Sequence, residues 1–323
     1  MRPKELRSGA CYLLRCANHS TIMTTAPSRG YPSIVRGGMS IVVVIACLLL
    51  SVAGCDQSEQ AVEMNINQLR EASAKLAKNP KDKAALKLLL DQLNDRRGLY
   101  RVNAAAVLGE TAMRVGGPIS AEAVPALSSL LDRGDDYDKR AAASALAKFG
   151  PHARDAWPTL RKNILPADRD VAWYSAETLG NIGEPAAAAV PDLMKAIREN
   201  ISQCEGYFSN FCSSFIPAIG KMRGSAAVAV PELESFLNHK DAYVRMRVAI
   251  ALMRINQSNS RALQEIEKLL RSSDVEVRRH TIVALRESGK DAQPVKHLIV
   301  AATKDQDEDV REAAENAVKI LNN

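Results

Sequence analysis

The sequence predicts an all-α protein built as a row of stacked helix pairs, and three observations predict it. Asp241, Asp274 and Asp307 lie thirty-three residues apart, each followed by Val three residues on and Arg four on (Arg245, Arg278, Arg311). A second marker, Ala-Val-Pro, recurs at Pro125, Pro191 and Pro231, with Ala-Trp-Pro at Pro158. Finally, only 4% of residues are aromatic against 46% hydrophobic, which favours close packing of helices through small side chains. A fixed period of this length is the signature of a repeat array whose units bury their apolar faces only against their neighbours.

Residues 1–54 read as a leader. They hold six Arg or Lys and one acid, Glu5, so removing them leaves 37 basic and 36 acidic residues, a net of +1 from the +6 of the whole. The remainder therefore carries no basic excess of the kind a nucleic-acid surface needs. Ile41–Leu50 is an unbroken apolar run, too short for a spanning helix. Arg29 and Arg36 precede it and small residues follow, the order of a secretory signal. A start at Met23 keeps both arginines and makes residues 1–22 an upstream extension. Residues 55–97 read as a tether and two capping helices, split at Asn79-Pro80.

The array occupies 98–323. Stepping the Arg marker backwards gives Cys212, Ala172, Lys139 and Arg101. Seven residues after each marker stands an apolar residue: Leu108, Leu146, Leu179, Ile219, Leu252, Leu285 and Val318. Each period is predicted to be two helices. Asp opens the first as its N-cap, because its side chain accepts from the free N–H groups of the first turn. Gly150 and Gly183 end it, and Pro opens the second, where its missing N–H costs nothing. Six pairs run to about Gln306, and a terminal helix from Asp307 closes the stack with Glu312, Glu315 and Lys319 on one side. Arg one turn after each Asp is expected to reach the Asp of the adjoining repeat. That makes a ladder of Asp241, Arg245, Asp274, Arg278, Asp307 and Arg311, broken at Ala172 and Cys212.

The pattern Asp-x-x-Val-Arg-x-x-Ala-Ala-x-Ala-Leu-Gly-x-Ile-Gly, followed by Ala-Val-Pro-x-Leu-x-x-Leu-Leu, resembles HEAT repeats, particularly the bacterial type named for phycobilisome lyases. Asp274, Val277, Arg278, Ala284 and Leu285 match it, as do Leu179, Gly180, Ile182 and Gly183; Phe208 departs from it at the Asp position. The resemblance implies a right-handed α-α superhelix of about six helix pairs with a C-terminal capping helix. It also implies second helices lining the concave side, and binding of another protein. Val52-Ala53-Gly54-Cys55 resembles a bacterial lipobox. That implies lipidation of Cys55 and a membrane-anchored protein facing the periplasm, since more than one acyl chain makes a stable anchor.

The sequence offers a longer junction at 201–210, where Tyr207, Phe208 and Phe211 gather beside Cys204 and Cys212. The two cysteines are either bridged, which requires the insert to be a loop because eight helical residues span about 12 Å, or two reduced thiols packed as small apolar groups. Trp157, Arg161, Lys162, Lys195 and Arg198 form a basic strip on second helices, followed by acidic Glu232 and Glu234. With Tyr207, Phe208 and Phe211 these are the candidate partner-binding residues, and mixed charge suits a protein partner. His152, His239, His280 and His297 are scattered, and no phosphate loop, nucleophile elbow or zinc spacing stands out. The reading is a non-catalytic, lipid-anchored extracytoplasmic scaffold without cofactor, nucleic acid or small-molecule substrate. The alternative is a lyase-like or ligand-processing enzyme with a pocket near 201–215.

Overall fold

The computed structural model describes residues 56–165, 168–203 and 210–322, with side chains over 60–165, 168–202 and 214–322. The predicted leader, Cys55, Cys204, Tyr207 and Phe208 lie outside the described residues. Phe211 and Cys212 are described in backbone only, at the start of a helix.

All the regular structure described is helical, and the fold is an all-α solenoid. Helices α1 (Asp56–Lys78) and α2 (Lys83–Gln92) pack on the first repeat, α3 (Gly98–Arg133). Tyr100 Oη donates to Ala61 O at 3.1 Å, and Thr111 Oγ1 donates to Ser73 Oγ at 2.8 Å in a buried contact. The first helices of the following repeats are α4 (Asp136–Phe149), α6 (Arg169–Ile182), α8 (Asn210–Lys221), α10 (Ala242–Ile255), α12 (Val275–Ser288) and α14 (Glu308–Asn322). The second helices are α5 (Trp157–Lys162), α7 (Val190–Asn200), α9 (Val230–Ser235), α11 (Ser260–Leu270) and α13 (Lys296–Ala302).

Asp N-caps open the first helices for the expected reason. The carboxylates of Asp135, Asp168, Asp241, Asp274 and Asp307 each accept from two N–H groups in the first turn of the helix that follows. The exits use backbone freedom. Gly150, Gly183 and Gly289 end α4, α6 and α12 at φ of +54°, +75° and +54°, a region that side chains with a Cβ rarely enter. At the matching place after α8 stands Arg223, at φ +53°, where a non-glycine residue costs about 1–3 kcal/mol.

The first pair departs from the expected break. Pro125 does not open a new helix; α3 continues through both Pro118 and Pro125, and the two limbs meet at Val115, whose φ of −139° and ψ of 24° are non-helical. In pairs two, three, four and six a short 3₁₀ turn precedes the second helix, at 150–156, 184–189, 223–229 and 289–295. In pair one that stretch is α-helical instead. Pair five has no Pro: Asn259 caps α11 by accepting from Ala262 N.

Stacking runs between successive first helices, α3–α4–α6–α8–α10–α12–α14. Leu108, Leu146, Leu179, Ile219, Leu252 and Leu285 are fully buried in that seam, each stabilising by about 1.5–3 kcal/mol relative to exposure. Val318, the seventh of the set, is half-buried. The helices approach closely where the Gly after such an apolar residue meets Ala of the next helix. A Cβ on Gly180 would lie 2.7 Å from Ala218 Cα, and one on Gly220 would lie 2.8 Å from Ala251 Cα. Only glycine permits that spacing.

Candidate interaction surface

The repeating Arg does something other than reach the next cap. Arg278 pairs with Asp305, its Nε at 2.9 Å and Nη2 at 2.8 Å, while Nη1 donates to Ser272 O at 2.8 Å. Arg245 pairs with Glu265 at 2.8 Å and donates to His239 O and Lys240 O. Arg311 donates to Asp305 O and Gln306 O, both at 2.9 Å. The expected bonds from Arg245 to Asp274 and from Arg278 to Asp307 are replaced by these. The reason is geometric. One turn into the helix, a guanidinium curls back over the loop just traversed, whose last carbonyls have no helical acceptor role left, and meets them five and six residues earlier. Arg101 repeats the pattern on Asp95 O and Arg96 O.

Bridges to the neighbouring cap do occur, but in the first repeats and partly through another residue. Arg101 reaches Asp135 at 3.4 Å and the fully buried Asp138 at 2.7 Å. Arg140, next to the marker Lys139, reaches the N-cap Asp168 at 2.6 Å. Burial pushes the Asp168 carboxyl up, but Arg140 and the two capping N–H groups outweigh it and hold it below the usual range. At the other end, the bidentate bond from Arg278 holds Asp305 below its ordinary value against desolvation.

A second set of inter-repeat bridges lies on the second helices. Arg161 of α5 bonds Asp192 of α7; Arg198 of α7 bonds both oxygens of Glu232 of α9 at 2.8 and 2.9 Å; Arg261 of α11 bonds Glu234 of α9 at 3.0 Å. The Asn259 amide and Arg261 together hold Glu234 below the normal carboxylate range. Two of the residues read as a basic strip, Arg161 and Arg198, are therefore engaged along the array, while Lys162 and Lys195 remain exposed and Lys195 lies 3.9 Å from Glu199. Trp157 is half-buried and packs on the core from the first position of α5, so it presents no fully exposed aromatic anchor.

Glu232 and Glu234 stand out from the sequence as the acidic stretch after the basic strip, but Asp192 and Arg261 do not. The readable signal was opposite charge one period apart, as at Arg161 and Asp192 or Arg198 and Glu232.

Burial pushes Lys221 below its ordinary value and Glu177 above, on successive first helices α8 and α6, and Lys221 Nζ donates to Asn181 Oδ1 at 2.7 Å. A cavity of about 610 Å³ lies elsewhere, at the edge where pairs five, six and the last helix join. It is lined by Leu270, Arg271, Ser272, Val275, Arg278 and Asp305 among others. Among the described residues no three His, Cys, Asp or Glu side chains gather as metal ligands, and no helix is long and apolar enough to cross a membrane.

HEAT repeats match the chain over residues 215–286 and 230–319. The crystal structure of an engineered protein superposes with a TM-score of 0.52 at 23% identity, covering 88% of this chain and 79% of the other. The complex of CpcE and CpcF of phycocyanin lyase from Nostoc sp. PCC7120 is similar at a TM-score of 0.49 and 21% identity, over 73% of this chain and 94% of that one. A designed armadillo repeat protein is similar at 0.42 and 16% identity, over 73% and 99%. At these identities the likeness is one of fold alone. No curated protein matches the sequence.

Proposed function

We propose that this chain is a lipid-anchored, extracytoplasmic scaffold that binds another protein along the second helices of pairs two to four. The fold is typical of non-catalytic repeat scaffolds, which generally bind other proteins. One observation carries the reading. The second helices form a continuous, ion-paired face on which Arg161–Asp192 and Arg198–Glu232 hold neighbouring repeats in register, leaving Lys162 and Lys195 exposed between them. A surface of alternating sign, patterned by its own bridges, discriminates partners by charge complementarity more than by raw attraction. Cys55 is the proposed lipidation site and supplies the tether.

The test is recovery from detergent-solubilised membranes with the full chain as bait. A protein captured by the wild type and lost with Lys162→Glu/Lys195→Glu supports the scaffold, provided helix content is unchanged. Identical captured proteins overturn the proposed face. Separately, Cys55→Ser should move the chain from the membrane to the soluble fraction and abolish incorporation of labelled fatty acid; unchanged membrane association would remove the tether from the proposal.

A further inference from the structure

Asp291 joins three repeats that nearest-neighbour stacking would leave separate. It sits in the 3₁₀ turn after α12, with its side chain 6% exposed. Oδ1 forms an ion pair with Arg223, 2.8 Å from its Nη1, and Oδ2 accepts from Arg254 Nε at 3.2 Å. Arg254 closes α10 of pair five. Arg223 begins the turn after α8 of pair four, so its ion pair with Asp291 of pair six passes over a whole repeat. Arrays of this kind couple adjacent units only, as a one-dimensional chain, and a link between second neighbours makes three units move together. The backbone supports the assignment. Arg223 holds φ +53° where Gly150, Gly183 and Gly289 stand in the other turns. A strained residue persists where its surroundings over-determine it, and its side chain is one arm of the bridge.

We propose that Arg223, Arg254 and Asp291 form a clamp that locks pairs four to six into one stiff segment, so that bending of the solenoid is taken up ahead of it. The proposal does not depend on which protein is bound.

Hydrogen exchange on the full chain tests it. Arg223→Gly installs the residue the matching turns use, relieving the backbone while removing one arm. The clamp requires amides of 275–302, two repeats away, to exchange at least about threefold faster, with 136–200 unchanged. A change confined to 221–235, no change at all, or a uniform rise along the chain would each overturn the proposal. Asp291→Asn removes the charge from both arms with the side-chain shape kept. It should speed exchange in 221–255 as well as 275–302, and Arg223→Gly added to it should bring no further increase in 275–302. A response limited to the residues around 291, or a full additive effect of the double variant, counts against the clamp.

Discussion

The two ends of the array solve the same stacking problem with different chemistry. Between pair one and pair five, three of the four seams between first helices meet through glycine, the α4–α6 seam holding Ala147 at that place. Gly109 faces Ala145, Gly180 faces Ala218 and Gly220 faces Ala251, each so close that a Cβ on the glycine would lie 3.0 Å or less from the alanine Cα. In pairs five and six the equivalent places hold Met253, fully buried, and Arg286, half-buried. Larger side chains there fill the space. Arg278 and Asp305 are 12% and 14% exposed, whereas Arg140 and Asp168 near the other end are 46% and 20% exposed. Where backbones touch, dispersion over a close seam adds to the stacking. Partly desolvated, multiply bonded arginines hold the loops at both ends, Arg278 on Asp305 in pair six and Arg101 on the buried Asp138 in pair one.

Four measurements sharpen or break that contrast. The largest effect belongs to the glycine seam: Gly220→Val should lower the unfolding free energy by about 3 kcal/mol by forcing α8 and α10 apart. Arg286→Val at the equivalent place should change it by less than about 1 kcal/mol. Equal losses in urea unfolding would dissolve the distinction. Next, Arg278→Ala should cost about 2 kcal/mol, since it strands Asp305 and frees a loop carbonyl. Arg140→Ala, whose pair is half-exposed, should cost under about 1 kcal/mol.

Acid titration reads the same difference. Arg278 depresses the Asp305 carboxyl below its ordinary value of 3.8. Its folded pKa is thus below its unfolded one, so the stability it contributes is present above pH 3.8 and is lost as pH falls through the folded value. Melting temperature should therefore drop less between pH 5 and pH 3 in Arg278→Ala than in the wild type; an equal drop would mean that Asp305 is not coupled to folding. Smallest of all, Arg198→Ala or Arg261→Ala on the second helices should each cost under about 1 kcal/mol at 0.15 M salt. A loss above about 2 kcal/mol would show that these bridges, not the seam, carry the stack.

Much of the architecture was legible because its causes are local. An Asp that caps a helix and a Leu seven residues past the marker need only a few neighbours along the chain to declare their roles. Six of those seven apolar positions are fully buried. The helix break in pair one was misread because Pro is compatible with a first turn but does not compel one; α3 keeps winding through Pro125 and bends at Val115. The arginine pairings were misread because a guanidinium has five donors and several acceptors in reach, and periodicity alone cannot choose between the carbonyl behind it and the carboxylate ahead. The site was legible in part. Arg161, Arg198, Glu232 and Glu234 stood out as charges, but their mutual engagement depends on which helix faces line up across a repeat.

By itself, then, the chain's order of residues determined that helices form, where most of them start, and that they stack in a row, since capping, helical spacing and apolar periodicity act over one or two turns. Tertiary structure alone decided which charges meet. Asp291 lies 37 residues from Arg254 and 68 from Arg223, and no local rule relates such positions. Their meeting is set by the small rotation each repeat imposes on the next, a quantity that accumulates in space and has no counterpart along the sequence.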